Sequence, residues 1–244
     1  VKPFLLLGTR AENYAADAEY RSFLRFGGLA EGELRRIRLE AEPLPELDLA
    51  DYSGIFLGGS PFNSSDPQES KSGVQVRVEQ ELGLLLDRVV AEDFPFLGAC
   101  YGVGTLGRHQ GAVIDSTYAE SVGTVEVTLT ADGAADPLLT GLPSSFAAYV
   151  GHKEACATVP ASAVLLASSV TCPVQMFRVG RNVYATQFHP ELDVEALVGR
   201  IDTYRHAGYF PPEEADEYMA RARATVVDRP ELILRAFVTR YARD

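Results

Sequence analysis

Pro95-Phe96-Leu97-Gly98-Ala99-Cys100-Tyr101-Gly102 reads as a short buried strand that runs straight into a helix, with a thiol at the corner. A glycine sits two positions from Cys100 on each side. A strand-to-helix turn this sharp leaves no room for side chains beside a nucleophile, which favours glycine there. The corner also puts the thiol at a helix N-terminus, where the dipole and free N–H groups are expected to lower its pKa. The N–H of Tyr101 would point at the same space, as one half of an oxyanion hole. Free cysteines are more commonly just small buried residues. The corner therefore needs partners elsewhere in the chain before it becomes chemistry.

Outward on the N-terminal side, strands and helices alternate. Phe4-Leu5-Leu6-Leu7 ends at Gly8 and predicts a parallel strand buried on both faces. A helix is expected from Asn13 to Ala30, stopped by Gly27-Gly28 or by Gly32, then a strand over Leu34 to Leu39. Ile55-Phe56-Leu57 runs into Gly58-Gly59-Ser60-Pro61. After a polar loop, Val74, Val78, Leu82, Leu85 and Val89 recur at helical spacing. This alternation predicts an α/β fold with a mainly parallel sheet.

On the C-terminal side, Val122 to Leu129 alternates as a half-buried strand does. Phe146 to Val150, Val164 to Ala167, Val174 to Val179 and Asn182 to Phe188 add strands, with a hairpin turn at Gly180-Arg181-Asn182. These predict an antiparallel strand region carried on the α/β core. Beyond Asp193 the chain turns helical. Leu197, Ile201 and Tyr204 share a face, Gly208 is the expected stop, Pro211-Pro212-Glu213-Glu214 starts a helix, and Pro230 opens the last one. The expected division is a domain over residues 1–198 and a helical extension over 199–244, packed on the same domain.

Gln187-Phe188-His189-Pro190-Glu191 lies at the end of one of these strands. A thiol nucleophile needs a base to take its proton and return it to the leaving amine, and the base needs a third group to fix its tautomer. His189 and Glu191 project from one strand end across a proline and suit those roles.

The 244-residue chain is 46% hydrophobic and 23% charged, enough to bury a sizeable core. Its formal charge of -12 argues against a nucleic-acid backbone or an anionic membrane as partner. No apolar run reaches membrane-spanning length. Three cysteines without CxxC spacing argue against a disulfide framework and a structural zinc site, and a reducing, cytoplasmic setting is expected. Cys156 and Cys172 read as core thiols, and His109 and His206 as residues at helix C-termini. Gly102-Val103-Gly104 lacks the third glycine of a dinucleotide fingerprint. With no phosphate loop and no HExxH pattern, neither a cofactor nor a metal is implied.

Taken in order, Gly58-Gly59 after a strand, Gly98 to Gly102, Tyr149-Val150-Gly151-His152, and Gln187 to Glu191 resemble the class I, triad-type glutamine amidotransferase family. The resemblance is nearest to the glutaminase module of GMP synthase. It implies a three-layer, flavodoxin-like core. It implies that Cys100 attacks the glutamine carboxamide, with His189 as base then acid and Glu191 as its orienter. Backbone N–H groups of Gly59 and Tyr101 would form the oxyanion hole, and Gly58, Gly104, Gly151 and His152 would lie at the substrate. The partners implied are glutamine or another γ-glutamyl small molecule, and a separate synthase subunit that accepts ammonia. A homo-oligomer is left open.

The chain departs from the family at the pocket. Gly104 stands where relatives typically carry a substrate-binding glutamine, Gly151 replaces a serine before His152, and the proline after the glycine pair is displaced to Pro61. Lys153 and Glu154 are candidate compensating charges. Three readings follow: an amidotransferase subunit or free-standing glutaminase, a hydrolase of other γ-glutamyl amides or peptides with the same triad, and a non-catalytic module of the same fold. The helical tail is read as a cover for the sheet edge, a cap on the site or a dimer contact.

Overall fold

The computed structural model describes residues 1–244. Strand β1 (Phe4–Gly8) is buried along its whole length, as an apolar run covered on both faces must be. Helix α1 (Asn13–Gly27) closes where Gly28 takes φ +68°, so the first of the two expected glycine stops operates. Then come β2 (Leu34–Arg38) and β3 (Ile55–Leu57). Helix α2 (Gly73–Ala91) starts at Ser72, whose Oγ accepts the Gln75 N–H at 3.1 Å. Its residues Val78, Leu82, Leu85 and Val89 are buried, while Val74 in the first turn is exposed. Strand β4 (Phe96–Ala99) leads through Cys100 into α3 (Tyr101–His109).

The second half contains β5 (Ile114–Asp115), β6 (Glu120–Leu129), α4 (Ala131–Ala135), β7 (Ser145–His152), β8 (Ala155–Cys156), β9 (Ala163–Ser168), β10 (Met176–Val179) and β11 (Val183–Thr186). It ends in α5 (Val194–Thr203), α6 (Ala215–Ala224) and α7 (Glu231–Tyr241). Between β10 and β11, Gly180 takes φ +57°, and the Asp93 carboxylate accepts the Arg181 and Asn182 N–H groups at 2.9 and 3.0 Å. That fixes the expected hairpin against the end of α2.

Nine strands form one sheet, in the order β2-β1-β3-β4-β11-β10-β9-β6-β7. The five from β2 to β11 are parallel and the rest join antiparallel. The antiparallel strands thus extend the main sheet by edge pairing; only the two-residue strands β5 and β8 stand apart as a separate ladder. Alternate residues of β1 divide between the faces. Leu5 and Leu7 join the core under α2 and α3, and Phe4 and Leu6 join the core under α1 and α7. This is the three-layer α/β arrangement. A third cluster joins Tyr149 of β7 to Leu197, Ile201, Phe210, Ala215 and Ala222 of the α5–α6 region.

Two expectations at the C-terminus need correction. Helix α5 ends at Thr203, five residues before Gly208, because Tyr204 already leaves the helical region (φ -104°, ψ 22°); Gly208 (φ +78°) shapes the following loop instead. The division placed at 198/199 also falls inside α5. No helix is long and apolar enough to cross a membrane.

Candidate active site

Four neighbouring parallel strands deliver their C-terminal ends to one place. Arg10 follows β1, Gly58-Gly59-Ser60 follows β3, Cys100 follows β4 and His189 follows β11. The chain leaves β1 toward β2 on one side and returns as β3 on the other, so the sheet order reverses here. Such switch points open a crevice at the carboxyl ends of the strands.

Cys100 sits at φ +52° and ψ -83°, a conformation rarely adopted outside glycine. Its N–H donates to the Thr186 carbonyl at 2.7 Å, and its carbonyl accepts the Val103 N–H at 2.9 Å. Gly98 explains the glycine spacing, since a Cβ there would lie 2.7 Å from the Gly102 Cα. Tyr101 is the first residue of α3, so its N–H has no partner within the helix.

Pairing of β4 with β11 sets Ala99 beside Thr186, and the next residues of both strands leave the sheet together. The His189 N–H donates to the Tyr149 carbonyl at 3.0 Å, which ties this segment to β7. His189 Nδ1 lies 2.7 Å from Glu191 Oε1, and Glu191 is fully buried. His189 and Cys100 line the same cavity.

Cys100 borders two cavities and shares both with Ser60, Gly151 and Tyr209. The first is mostly apolar. Leu192, Leu197, Ile201 and Phe210 line it, with Arg10, Arg200 and Tyr204 among its polar walls. The second is bordered by Tyr101, His152, Glu154 and Gln187. The segment from Tyr204 to Phe210 thus places Tyr204, Tyr209 and Phe210 over the site.

Of the other expected site residues, Gly59 packs against the histidine: a Cβ on it would lie 2.9 Å from His189 Cε1 and 2.7 Å from Arg10 Nη2. Gly58 and Gly104 face other groups. A Cβ on Gly58 would strike the Glu19 carboxylate at 2.4 Å, and one on Gly104 would strike Glu154 Oε1 at 2.5 Å. Gly151 borders both cavities, whereas the His152 ring is committed on both sides, to Glu120 Oε2 at 2.7 Å and to the Glu154 carbonyl at 2.9 Å. Lys153 is also engaged: its Nζ donates to the Ala207 carbonyl at 2.7 Å and lies over the Tyr209 ring.

Sequence reasoning missed a buried charge cluster. Arg10 Nε donates to Glu19 Oε1 at 3.0 Å, and Arg10 Nη1 reaches the Tyr204 hydroxyl at 3.2 Å. Arg200 Nη2 donates to Glu191 Oε1 at 3.0 Å and to Glu19 Oε1 at 3.3 Å. No local motif marks these residues.

The electrostatics overturn the expectation of a lowered thiol pKa. Burial pushes Cys100 up to about 12, and the Glu191 and Glu154 carboxylates add to the rise. Arg10 and Arg200 oppose it. Burial also lowers His189, aided by Arg200 and Arg10 against the pull of Glu191. Burial alone would raise Glu191, but His189 and Arg200 outweigh it and hold that carboxyl well below the usual range. At neutral pH the resting groups are thus a thiol, a neutral imidazole and a carboxylate. Cys156 and Cys172 are fully buried and also pushed up to about 12 by burial. They sit in the core as expected.

Comparison with known proteins gives the family. A model of the class-I glutamine amidotransferases matches residues 27–197, well over half the chain. A glutamine-hydrolyzing GMP synthase of Porphyromonas gingivalis is 29% identical over 150 residues, covering 61% of this chain but only 26% of that protein. The chain therefore spans about a quarter of that relative's length. A glutamine-hydrolyzing GMP synthase subunit of Thermoplasma acidophilum is 28% identical over 166 residues, covering 66% of this chain and 76% of that one. Gamma-glutamyl peptidase 3 of Arabidopsis thaliana is 28% identical over 188 residues, covering 75% and 72%. A solved glutamine amidotransferase of Thermotoga maritima superposes with a TM-score of 0.74 at 18% identity, covering 99% of this chain and 98% of that one, a likeness of fold. With the match running through the strand ends that carry Cys100, His189 and Glu191, this chain belongs to the class-I glutamine amidotransferase family.

Proposed function

We propose that this protein hydrolyses the side-chain amide of glutamine to glutamate and ammonia through a thioester on Cys100. The observation that carries the reading is the meeting of a thiol at a strained strand-to-helix corner with a histidine of the same cavity, whose Nδ1 lies 2.7 Å from the buried Glu191. The neutral imidazole takes the thiol proton as sulfur attacks the carboxamide carbon. The N–H groups of Tyr101 and Gly59 hold the oxyanion. The imidazolium returns its proton to the leaving nitrogen and ammonia departs. Water, deprotonated by the same imidazole, then hydrolyses the thioester. Because the thiol rests protonated, proton transfer belongs to the attack itself. Glu191 keeps the imidazole oriented and compensates its transient charge.

The cavity beside Tyr101 suits the amino-acid end of the substrate. Gln187 is almost fully buried there with Oε1 unpartnered, and the Glu154 carboxylate borders the same space. Both are acceptors fit for a substrate ammonium. Glu154 fills the room above Gly104, which accounts for the absence of a longer side chain at that position. A separate synthase chain that takes up the ammonia is the partner this reading implies, in keeping with the Thermoplasma relative, which is itself named as one subunit of a synthase.

The second reading is a γ-glutamyl peptide or amide hydrolase with the same residues. It is favoured by the likeness to the Arabidopsis peptidase over 75% of the chain. Ammonia release from glutamine by the purified protein, beside Cys100→Ala, tests the first reading. Release that the variant abolishes supports it. No release, with turnover of γ-glutamyl dipeptides, would move the assignment to the second.

A further inference from the structure

Arg200 lies on α5, its partner Glu19 lies near the other end of the chain, and Arg10 pairs with the same Glu19; all three fall outside the residues 27–197 matched by the family model. Yet Arg200 reaches the centre of the site. Its Nη1 is 3.1 Å from His189 Nδ1, and its Nη2 is 3.0 Å from Glu191 Oε1. Its side chain is 11% exposed, and those of Glu19 and Glu191 are 2% and 0% exposed.

Hydrogen-bond roles decide what this contact means. A guanidinium only donates. Were Nδ1 bare, it could accept from Arg200, but it would then face Glu191 Oε1 at 2.7 Å as one acceptor against another. With a proton on Nδ1, the ring donates to Oε1, and Arg200 donates to that same oxygen through Nη2. Only the second arrangement leaves no repulsive contact at the shortest distance. It also leaves Nε2 bare, as a general base requires. A guanidinium 3.1 Å from the ring then opposes a second ring proton. Glu19 keeps Arg200 in place by accepting from it at 3.3 Å, and it balances Arg10 at 3.0 Å.

We propose that Arg200 is a positioning residue that holds His189 as the neutral ring with its proton on Nδ1, by anchoring Glu191 and by keeping a second proton off the imidazole. The inference rests on the reading of His189 as the base of Cys100. The charged or titratable groups around the ring are Glu191 beside it, Arg200 from α5, Arg10 and Glu19 from the β1–α1 region, Cys100 from the β4–α3 corner, and Tyr204 and Tyr209 from the covering segment.

The test follows the imidazole nitrogens by NMR in full-length, ¹⁵N-histidine-labelled protein, with His189→Ala assigning the signal. Alkylation of Cys100 by iodoacetamide is measured against pH in parallel. The wild-type ring should show the Nδ1–H tautomer and titrate below 6.5, the ordinary value. In Arg200→Gln the midpoint should rise by about one pH unit or more, and the acid limb of alkylation should rise with it. Arg200→Lys, which keeps the charge, should bring the midpoint back toward wild type. If Arg200→Gln does not fold, Arg200→Gln with Glu19→Gln removes one charge of each sign and should still raise the midpoint. An unchanged midpoint in the glutamine variants, or a wild-type ring protonated on Nε2 alone, would overturn the proposal. Failure of the underlying reading looks different: His189→Ala would leave Cys100 alkylation unchanged at every pH, whatever the ring's midpoint does in the Arg200 variants.

Discussion

At Gly59 a single added carbon would reach 2.9 Å from His189 Cε1 and 2.7 Å from Arg10 Nη2. Neither neighbour can retreat far, because His189 is tied to Glu191 and Arg10 to Glu19. Gly59→Ala should therefore push the imidazole out of line while leaving the core untouched. A misplacement of about 1 Å at the reacting groups costs about 10²-fold in turnover. The expected result is a kcat for glutamine reduced by about that factor, with a urea midpoint close to wild type. A variant with full activity would remove Gly59 from the site. Glu191→Gln tests another feature of the same cluster. Its carboxylate has one oxygen shared by His189 and Arg200 and the other without a partner. The amide would retain one acceptor but lose the charge that compensates the imidazolium. Loss of the orienting acid in a comparable triad costs about 10⁴-fold in kcat, and a similar loss is expected in ammonia release.

The elements make a different point. Helix α7 lies beyond the family-matched residues, yet Phe237 is fully buried against Phe4 and Phe56, with ring centroids 6.1 and 5.1 Å apart. The helix is part of the core layer that covers β1 and β3. Phe237→Ala should cost about 3–5 kcal/mol of stability, read as a lower urea midpoint with one cooperative transition. A small loss, or a separate early transition, would instead make the C-terminal helices an independent unit. Such core helices were legible in the sequence because local spacing marks them: Ile233, Phe237 and Tyr241 recur at intervals of four, and Gly98 and Gly102 bracket Cys100. Pairing partners were less legible. The hairpin at Gly180 was visible in its turn residues, but nothing local says that β9, β6 and β7 continue the main sheet. The two-residue strands β5 and β8 carry no periodicity at all. The end of α5 was misplaced because Gly208 looked like a stop, while the chain turns at Tyr204. The charge cluster stayed hidden for the same reason on a larger scale, since Arg10 and Arg200 meet only after the chain has folded.

Over the whole molecule, the shifted groups set how stability responds to pH, and they act on both sides of neutrality. On the acid side, His189 titrates below its ordinary value of 6.5 when folded, so below that value the unfolded chain takes up a proton that the folded chain resists. The Glu191 carboxyl is depressed from 4.5, so its contribution is present above that value and is lost as the pH falls further. Glu120, held down by the buried His152 and by Thr171 and Gln175 against the cost of its own burial, loses its contribution in the same direction. On the alkaline side, Cys100, Cys156 and Cys172 rise from 9.0 to about 12, so above 9 the unfolded thiols ionise while the folded ones do not. That loss grows with pH until the folded thiols titrate as well. Urea midpoints should therefore pass through a maximum between about pH 6.5 and 9 and fall on both sides. Replacing Cys156 and Cys172 with alanine separates the two limbs: the fall above pH 9 should become shallower and the acid limb should stay where it is. If the alkaline fall is as steep without these thiols, buried tyrosines such as Tyr101 and Tyr184, which burial also raises, carry it instead. The acid limb of activity should lie below the pH at which stability begins to fall. On the acid side turnover needs His189 unprotonated, so this limb should follow the folded imidazole below 6.5, and Arg200→Gln should raise it.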